Sequence, residues 1–395
     1  MYKIVIKFLL IIFSIIAVDL KAIEVKDLYL VKKEVSGQGK SERWKATLSG
    51  FKEVLIRKSG SSSILDSYIV QKAYPNVNNY LLKFEYSSQI DNEVSSNYLV
   101  SLYFEPRLID ALIQESQFPL WGSNRPLTLL WLAIEEDSIR RIVSETNSHD
   151  SSILEQISTD SIRRGVPLIL PLMDLEDELN VSISDVWGRF SSAVANASLR
   201  YSADSVLFGR IRYDSESWVG KFGYLNQDNQ STFELVEKTP ELVISTLVDN
   251  AAELLCQKYC IVEESGLKDE VLIDISDISS FSDFKQAESY LNSLSSISKI
   301  ELIKVDEQHS LFKVTLLGGL ESVVEDIALS QKMLPVEPKQ SESTNSDIEN
   351  RKIELQDDID SNSINNILNE DTEKGVDKVD NQPEEMKQLY YRWVG

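Results

Sequence analysis

Six residues carry the types and spacing from which chemistry could be built. Asp174, Glu176 and Asp177 follow the apolar run Val166-Pro-Leu-Ile-Leu-Pro-Leu-Met173, and Trp121, Asn124 and Arg125 lie between Pro119 and Pro126. Carboxylates at the end of a buried strand can hold a divalent cation or act as an acid and base pair. An aromatic and an arginine on a proline-bracketed loop can clamp a glycan, a peptide or a carboxylate. The same residues admit a structural reading. Asp174 and Asp177 would cap the next turn and pair with Arg125 or Arg189, while Trp121 covers the end of a sheet. Taken together, the six residues are expected to form one binding rim, with Arg125 orienting the carboxylates.

Other chemistries lack their residues. The chain has 2 His and 2 Cys, too few for a zinc site of His and Cys ligands. His149 and His309 fall in polar turns, and no Gly-x-Ser-x-Gly elbow is present. There is no phosphate-binding glycine loop, dinucleotide fingerprint or calcium loop. No catalytic residue, metal ligand or cofactor is therefore assigned. Cys256 and Cys260 are four apart in an expected helix, where a disulfide would strain the helix; Cys256 is read as buried among Leu254 and Leu255 and Cys260 as near the helix end, with a redox pair or half of a metal site as the alternative. The 63 acidic residues outnumber the 40 basic ones, which argues against nucleic acid as a partner, because that needs a basic footprint.

The elements that must position these groups are legible from periodicity. Residues 1–22 read as a secretory signal: Lys3 and Lys7, then the apolar run Phe8–Val18, then Leu20-Lys-Ala22. That run is shorter than the roughly 20 residues needed to span a bilayer. Export to a periplasm is expected, with an uncleaved inner-membrane anchor as the alternative. Residues 23–95 suggest a small α/β unit, with Trp44, Leu48, Phe51 and Leu55 on one helical face and Gly60 ending that helix.

Residues 96–264 alternate strand and helix and then turn antiparallel, which suggests a mixed sheet covered by helices. Here Ser184 is expected to cap a helix that runs to Arg200. Residues 265–334 follow the order β-α-β-β-α, one strand short of a ferredoxin-like unit. The stretch 335–388 is polar and acidic and is expected to be a disordered insertion. The apolar ending, 389–395, is expected to return as the missing strand. The fold class is thus α/β to α+β.

Several segments resemble a known family. These are Trp121-Gly-Ser-Asn-Arg-Pro126, Leu130-Trp-Leu132, Gly165–Asp177, Asp185-Val-Trp-Gly-Arg-Phe190 and Ala203-Asp-Ser-Val-Leu-Phe-Gly-Arg210. They are similar to the exported proteobacterial proteins grouped as domain of unknown function 2066. The likeness runs over roughly residues 24–334 and the terminal Tyr-Arg-Trp. It implies export and no particular activity, and the acidic insertion departs from it. The segment Ala203–Arg210 also resembles the α/β domain of curli-secretion lipoproteins and the N-terminal region of TolB, which are envelope-assembly or partner-binding modules. The resulting expectation is a non-enzymatic periplasmic module that binds an envelope protein or glycan. The alternative is a metal-assisted hydrolase of an envelope polymer using Asp174 and Asp177.

Overall fold

A computed structural model of the chain describes residues 25–88, 98–226, 229–261, 269–306, 308–330, 332–337 and 386–395. Residues 1–22, expected to be a signal, and most of the stretch 335–388, expected to be a disordered insertion, lie outside the described residues. Helices and three sheets, antiparallel or mixed, make a multi-unit α+β protein.

The first unit opens with β1 (Leu30–Val35) and α1 (Lys40–Ser59). Phe51, Val54 and Leu55 of α1 are fully buried, whereas Trp44 at its start is 39% exposed. Gly60 ends the helix at φ +69°, a conformation that costs other residues steric strain. Then come α2 (Tyr68–Ala73), β2 (Leu81–Ser88), β3 (Tyr98–Phe104) and α3 (Pro106–Glu115). β3 lies between β1 and β2, antiparallel to both. It therefore belongs to the first sheet, not to the central one where its sequence position suggests it falls.

The central unit is built on β4 (Thr128–Glu136), whose near-continuous apolar run is buried on both faces. β5 (Ile139–Ile142) and β6 (Leu168–Ile169) pair along one edge of β4, and α4 (Ser151–Arg164) lies between them in sequence. Three short helices follow: α5 (Leu175–Asn180), α6 (Ile183–Gly188) and α7 (Ser191–Ser198). The last two replace the single helix expected from Ser184. The cap is Ser182, in a reciprocal box with Asp185, and Arg189 breaks the run at φ +60°. β7 (Ser205–Asp214) pairs parallel to β4, and β8 (Ser217–Asn226) and β9 (Gln230–Glu237) extend the sheet antiparallel. α8 (Pro240–Tyr259) covers one face, with Thr239 accepting from the Leu242 amide as its cap.

Cys256 and Cys260 form a disulfide, although their helical spacing argues against one. Cys260 lies just beyond α8 with an extended backbone. The pair is therefore not confined to helical geometry, and its Cα atoms stand 4.7 Å apart.

The third unit runs β10 (Glu270–Ser276), α9 (Phe281–Ser293), β11 (Ile297–Val305), β12 (His309–Leu316), α10 (Leu320–Ser330), β13 (Met333–Pro335) and β14 (Gln388–Trp393). The sheet order is β11-β12-β10-β14-β13. β14 takes the place beside β10 where a ferredoxin-like fold has its last strand. It runs parallel to β10, however, and leaves β13 outside it at the edge. Tyr391 and Trp393 of β14 are buried in the third core with Tyr290, Ile273 and Met333. Trp393→Ala should lower unfolding free energy by about 3 kcal/mol in denaturant titrations. Deleting residues 386–395 should lower the melting temperature further; an unchanged melt would show that β14 adds nothing to this core.

Candidate functional site

The segment from Leu120 to Arg125 is a hub between units. Leu120 makes a two-bond bridge with Ile261, and the Trp121 amide donates to the Lys58 carbonyl at 2.7 Å. Asn124 donates to the Asp326 carboxylate of α10 at 3.3 Å. Trp121 and Arg125 are fully buried and Asn124 is nearly so. Three of the expected rim residues therefore present no surface.

Arg125 explains why. Its Nε donates to Gly122 O at 3.0 Å, its Nη1 to Arg164 O at 2.9 Å and Gly165 O at 3.0 Å, and its Nη2 to Arg57 O at 2.8 Å. The guanidinium also stacks on Trp121, 4.0 Å from the ring centroid. None of these partners is a carboxylate. Arg57 is in the last turn of α1, and Arg164 and Gly165 end α4. Each helix C-terminus carries roughly half a negative charge, so two converging ends approximate one counter-charge for one guanidinium. Burial pushes the Arg125 pKa well down, and the neighbouring Arg57 and Arg164 push the same way. A carbonyl cage at two helix ends is what holds the cation there. Gly165 sits at φ +67°, and a Cβ on it would lie 2.8 Å from Arg125 Nη1.

Arg164 and Arg57 complete the junction. Arg164 Nη2 donates to Gly60 O at 2.9 Å. Arg57 donates to Leu28 O, Leu30 O and Arg163 O, and pairs with Glu53. The disulfide packs on the same helix end: a Cβ on Gly60 would lie 2.3 Å from Cys256 Sγ.

The acidic trio stands apart from this hub. Trp121 packs with Leu130 and Leu132 on one face of the central sheet, whereas Met173 and Tyr201, beside the carboxylates, pack with Trp131 on the other. The cation that meets the carboxylates is Arg200, not Arg125 or Arg189. Arg200 binds both oxygens of Asp174, at 2.7 and 2.9 Å, and Asp177 Oδ1 at 3.0 Å. Glu176 Oε2 is 3.5 Å from Arg200. Asp174 also caps α5 by accepting from the Asp177 amide. Asp177 is buried and accepts from the Met173 amide and from the Tyr201 hydroxyl. Hydrogen bonding from Arg200 holds Asp174 far below the usual carboxylate range. Burial, helped by the bond to Asp177, pushes the Tyr201 phenol up to about 12. Both carboxylates are committed to a bracing network. Among the described residues no group of His, Cys, Asp and Glu is arranged to hold a metal.

α5 has inverted polarity. Its buried residue is Asp177, while Leu175 and Leu179, four apart on the opposite face, are 71% and 78% exposed. Leu172, Ile183, Phe190 and Leu199 on the adjoining turns are exposed too. The sequence pattern hides this, because Leu-Glu-Asp-Glu-Leu reads as an ordinary amphipathic turn facing the core.

Comparison with known proteins corrects the family expectation. The model of a family described as a domain of unknown function (DUF8605) matches residues 22–122. That stretch spans the first unit through the start of the hub, and nothing supports the group 2066. No curated protein matches the chain. The crystal structure of a formyltetrahydrofolate deformylase from Pseudomonas putida KT2440 aligns at 9% identity over 58% of this chain and 92% of that one. Its TM-score of 0.14 is too low to carry an argument about fold or activity.

Three outcomes test this geometry. Arg125→Met should cost about 3 kcal/mol or more, because several buried carbonyls lose their donor. Arg125→Lys should not rescue it, since an ammonium lacks the fork. The folded-state pKa of Asp174 is depressed, so its stabilisation is complete above its ordinary value near ~4 and is lost as pH falls below it. The stability difference between wild type and Asp174→Asn should therefore shrink on acidification below that value.

Proposed function

We propose that this protein is an exported, non-enzymatic binding module whose partner docks on the short-helix layer of the central unit. The observation that carries the reading is the inverted α5, with Leu175 and Leu179 outward and Asp177 inward. Single exposed leucines are ordinary on protein surfaces, but a grouped set on braced turns marks an interaction face. The Arg200 network fixes those turns, so the face is pre-organised.

Charge narrows the partner. Glu176, Glu178 and Asp174 rim the leucines, and Arg200 is already engaged by this acidic side. An anionic membrane surface would be repelled by such a rim. A protein with an apolar socket edged by basic residues complements it. Export is supported by the leader-like residues 1–22 and by the Cys256–Cys260 disulfide, a bond that persists in oxidising compartments. The hydrolase alternative gains no support from carboxylates already saturated by Arg200, Tyr201 and backbone amides.

The test is site-specific photocrosslinking in intact cells. A photoreactive residue at Leu179 should give one discrete protein adduct, absent when the probe replaces exposed Tyr68 on the first unit. Leu175→Ser should remove that adduct while leaving the melting temperature unchanged or raised. Identical adducts from both probe positions, or no adduct at Leu179, would sink the reading.

A further inference from the structure

A cleft of about 530 Å³ lies between the first and third units, away from the short-helix face. Lys58, from the last turn of α1, lines it and is only 4% exposed. Its Nζ stands 3.8 Å from Asp110 Oδ1, beyond hydrogen-bond reach, and 4.9 Å from the centroid of the Tyr29 ring. Tyr29 donates to the other Asp110 oxygen at 2.6 Å. Asp110 Oδ1 is buried without a hydrogen-bond partner.

An ammonium has three N–H groups to satisfy and a carboxylate oxygen has two lone pairs. Burying either half-satisfied is costly. The strain is visible in the lysine, whose pKa burial pushes down to about 8 against the pull of Asp110. The missing complement is one acceptor for Lys58 and one donor for Asp110, side by side. The walls add carboxamides and a hydroxyl at Gln114, Asn292 and Ser298, and apolar surface at Leu28, Leu120 and Leu317.

We infer that this cleft is a binding site for the carboxyl end of a short peptide, with the terminal carboxylate on Lys58 and a peptide N–H on Asp110. A phosphate would supply the acceptor without the donor, and its second charge would face Asp110. A neutral sugar would supply donors and leave Lys58 without a counter-charge. A peptide end supplies both, its backbone matches the carboxamides, and its side chains match the leucines. The volume falls within the range of small-ligand sites and suits a dipeptide. The inference does not depend on the short-helix docking face.

The experiment is titration calorimetry of the full chain with alanyl-alanine and with its C-terminal amide. Binding of the free acid is expected, at least about tenfold weaker for the amide and for Lys58→Met, as loss of a charge-assisted hydrogen bond requires. Asn292→Trp, an exposed change at the cleft mouth, should abolish binding without unfolding the protein. Leu175→Ser should bind the dipeptide as wild type does, which separates this site from the docking face. No heat with millimolar dipeptide, equal binding of acid and amide, or unchanged binding in folded Lys58→Met overturns the assignment. If Lys58→Met does not fold, dipeptide binding retained by Asn292→Trp overturns it instead.

Discussion

The assembly of this protein depends on one buried cation between two helix ends. The carbonyls that close α1 and α4 have no partners within their own helices. Arg125 supplies donors to both ends at once, and the Trp121 amide and Arg164 donate to the Lys58 and Gly60 carbonyls at the end of α1. Without these donors, the C-terminus of α1 would be a buried row of unsatisfied oxygens at the boundary of two cores. The first and central units are therefore joined by polar closure as much as by apolar contact. The same loop reaches the third unit through Asn124 and Asp326, where burial raises the carboxyl pKa against the hydrogen bonds from Ser296 and Asn124.

A second consequence follows from this closure. With the hub loop fully engaged, the polar residues that look most functional are structural, and the accessible surface lies elsewhere. On the central unit it is an apolar face held outward by an inward carboxylate. Between the first and third units it is a cleft lined by a lysine whose ammonium stands beyond hydrogen-bond reach of Asp110. Both features invert the usual order of burial, with an acid inside and leucines outside in one, and a charge under apolar walls in the other. Such inversions cost stability.

The C-terminal strand shows a similar division between composition and placement. Aromatic and β-prone residues after an acidic stretch argue for a strand that packs somewhere, and Tyr391 and Trp393 do pack in the third core. Its direction was not readable. A strand that returns after a long connection is free to enter the sheet either way, unlike one fed directly from the preceding helix. Here it enters parallel to β10 and displaces β13 to the edge.

Local rules made many of the elements legible in the sequence: the apolar run of β4, the Gly60 stop of α1 and the strands β10 and β12. Where local rules competed, reading failed. Arg189 and Phe190 split an expected long helix because the left-handed conformation at Arg189 ends α6, and nothing in a window of that sequence signals it. Cys256 and Cys260 were judged by helical spacing, although helix α8 ends between them. The sequence by itself determined the element types, the α+β class and the presence of Arg125 and the carboxylates. Only the tertiary structure decided that Arg125 would face helix carbonyls, that Arg200 would take the acids, and that Lys58 and Asp110 would meet on one wall of a cleft. Such pairings join residues dozens of positions apart, and their partners are chosen by where helix ends and sheet edges come to rest, not by spacing along the chain.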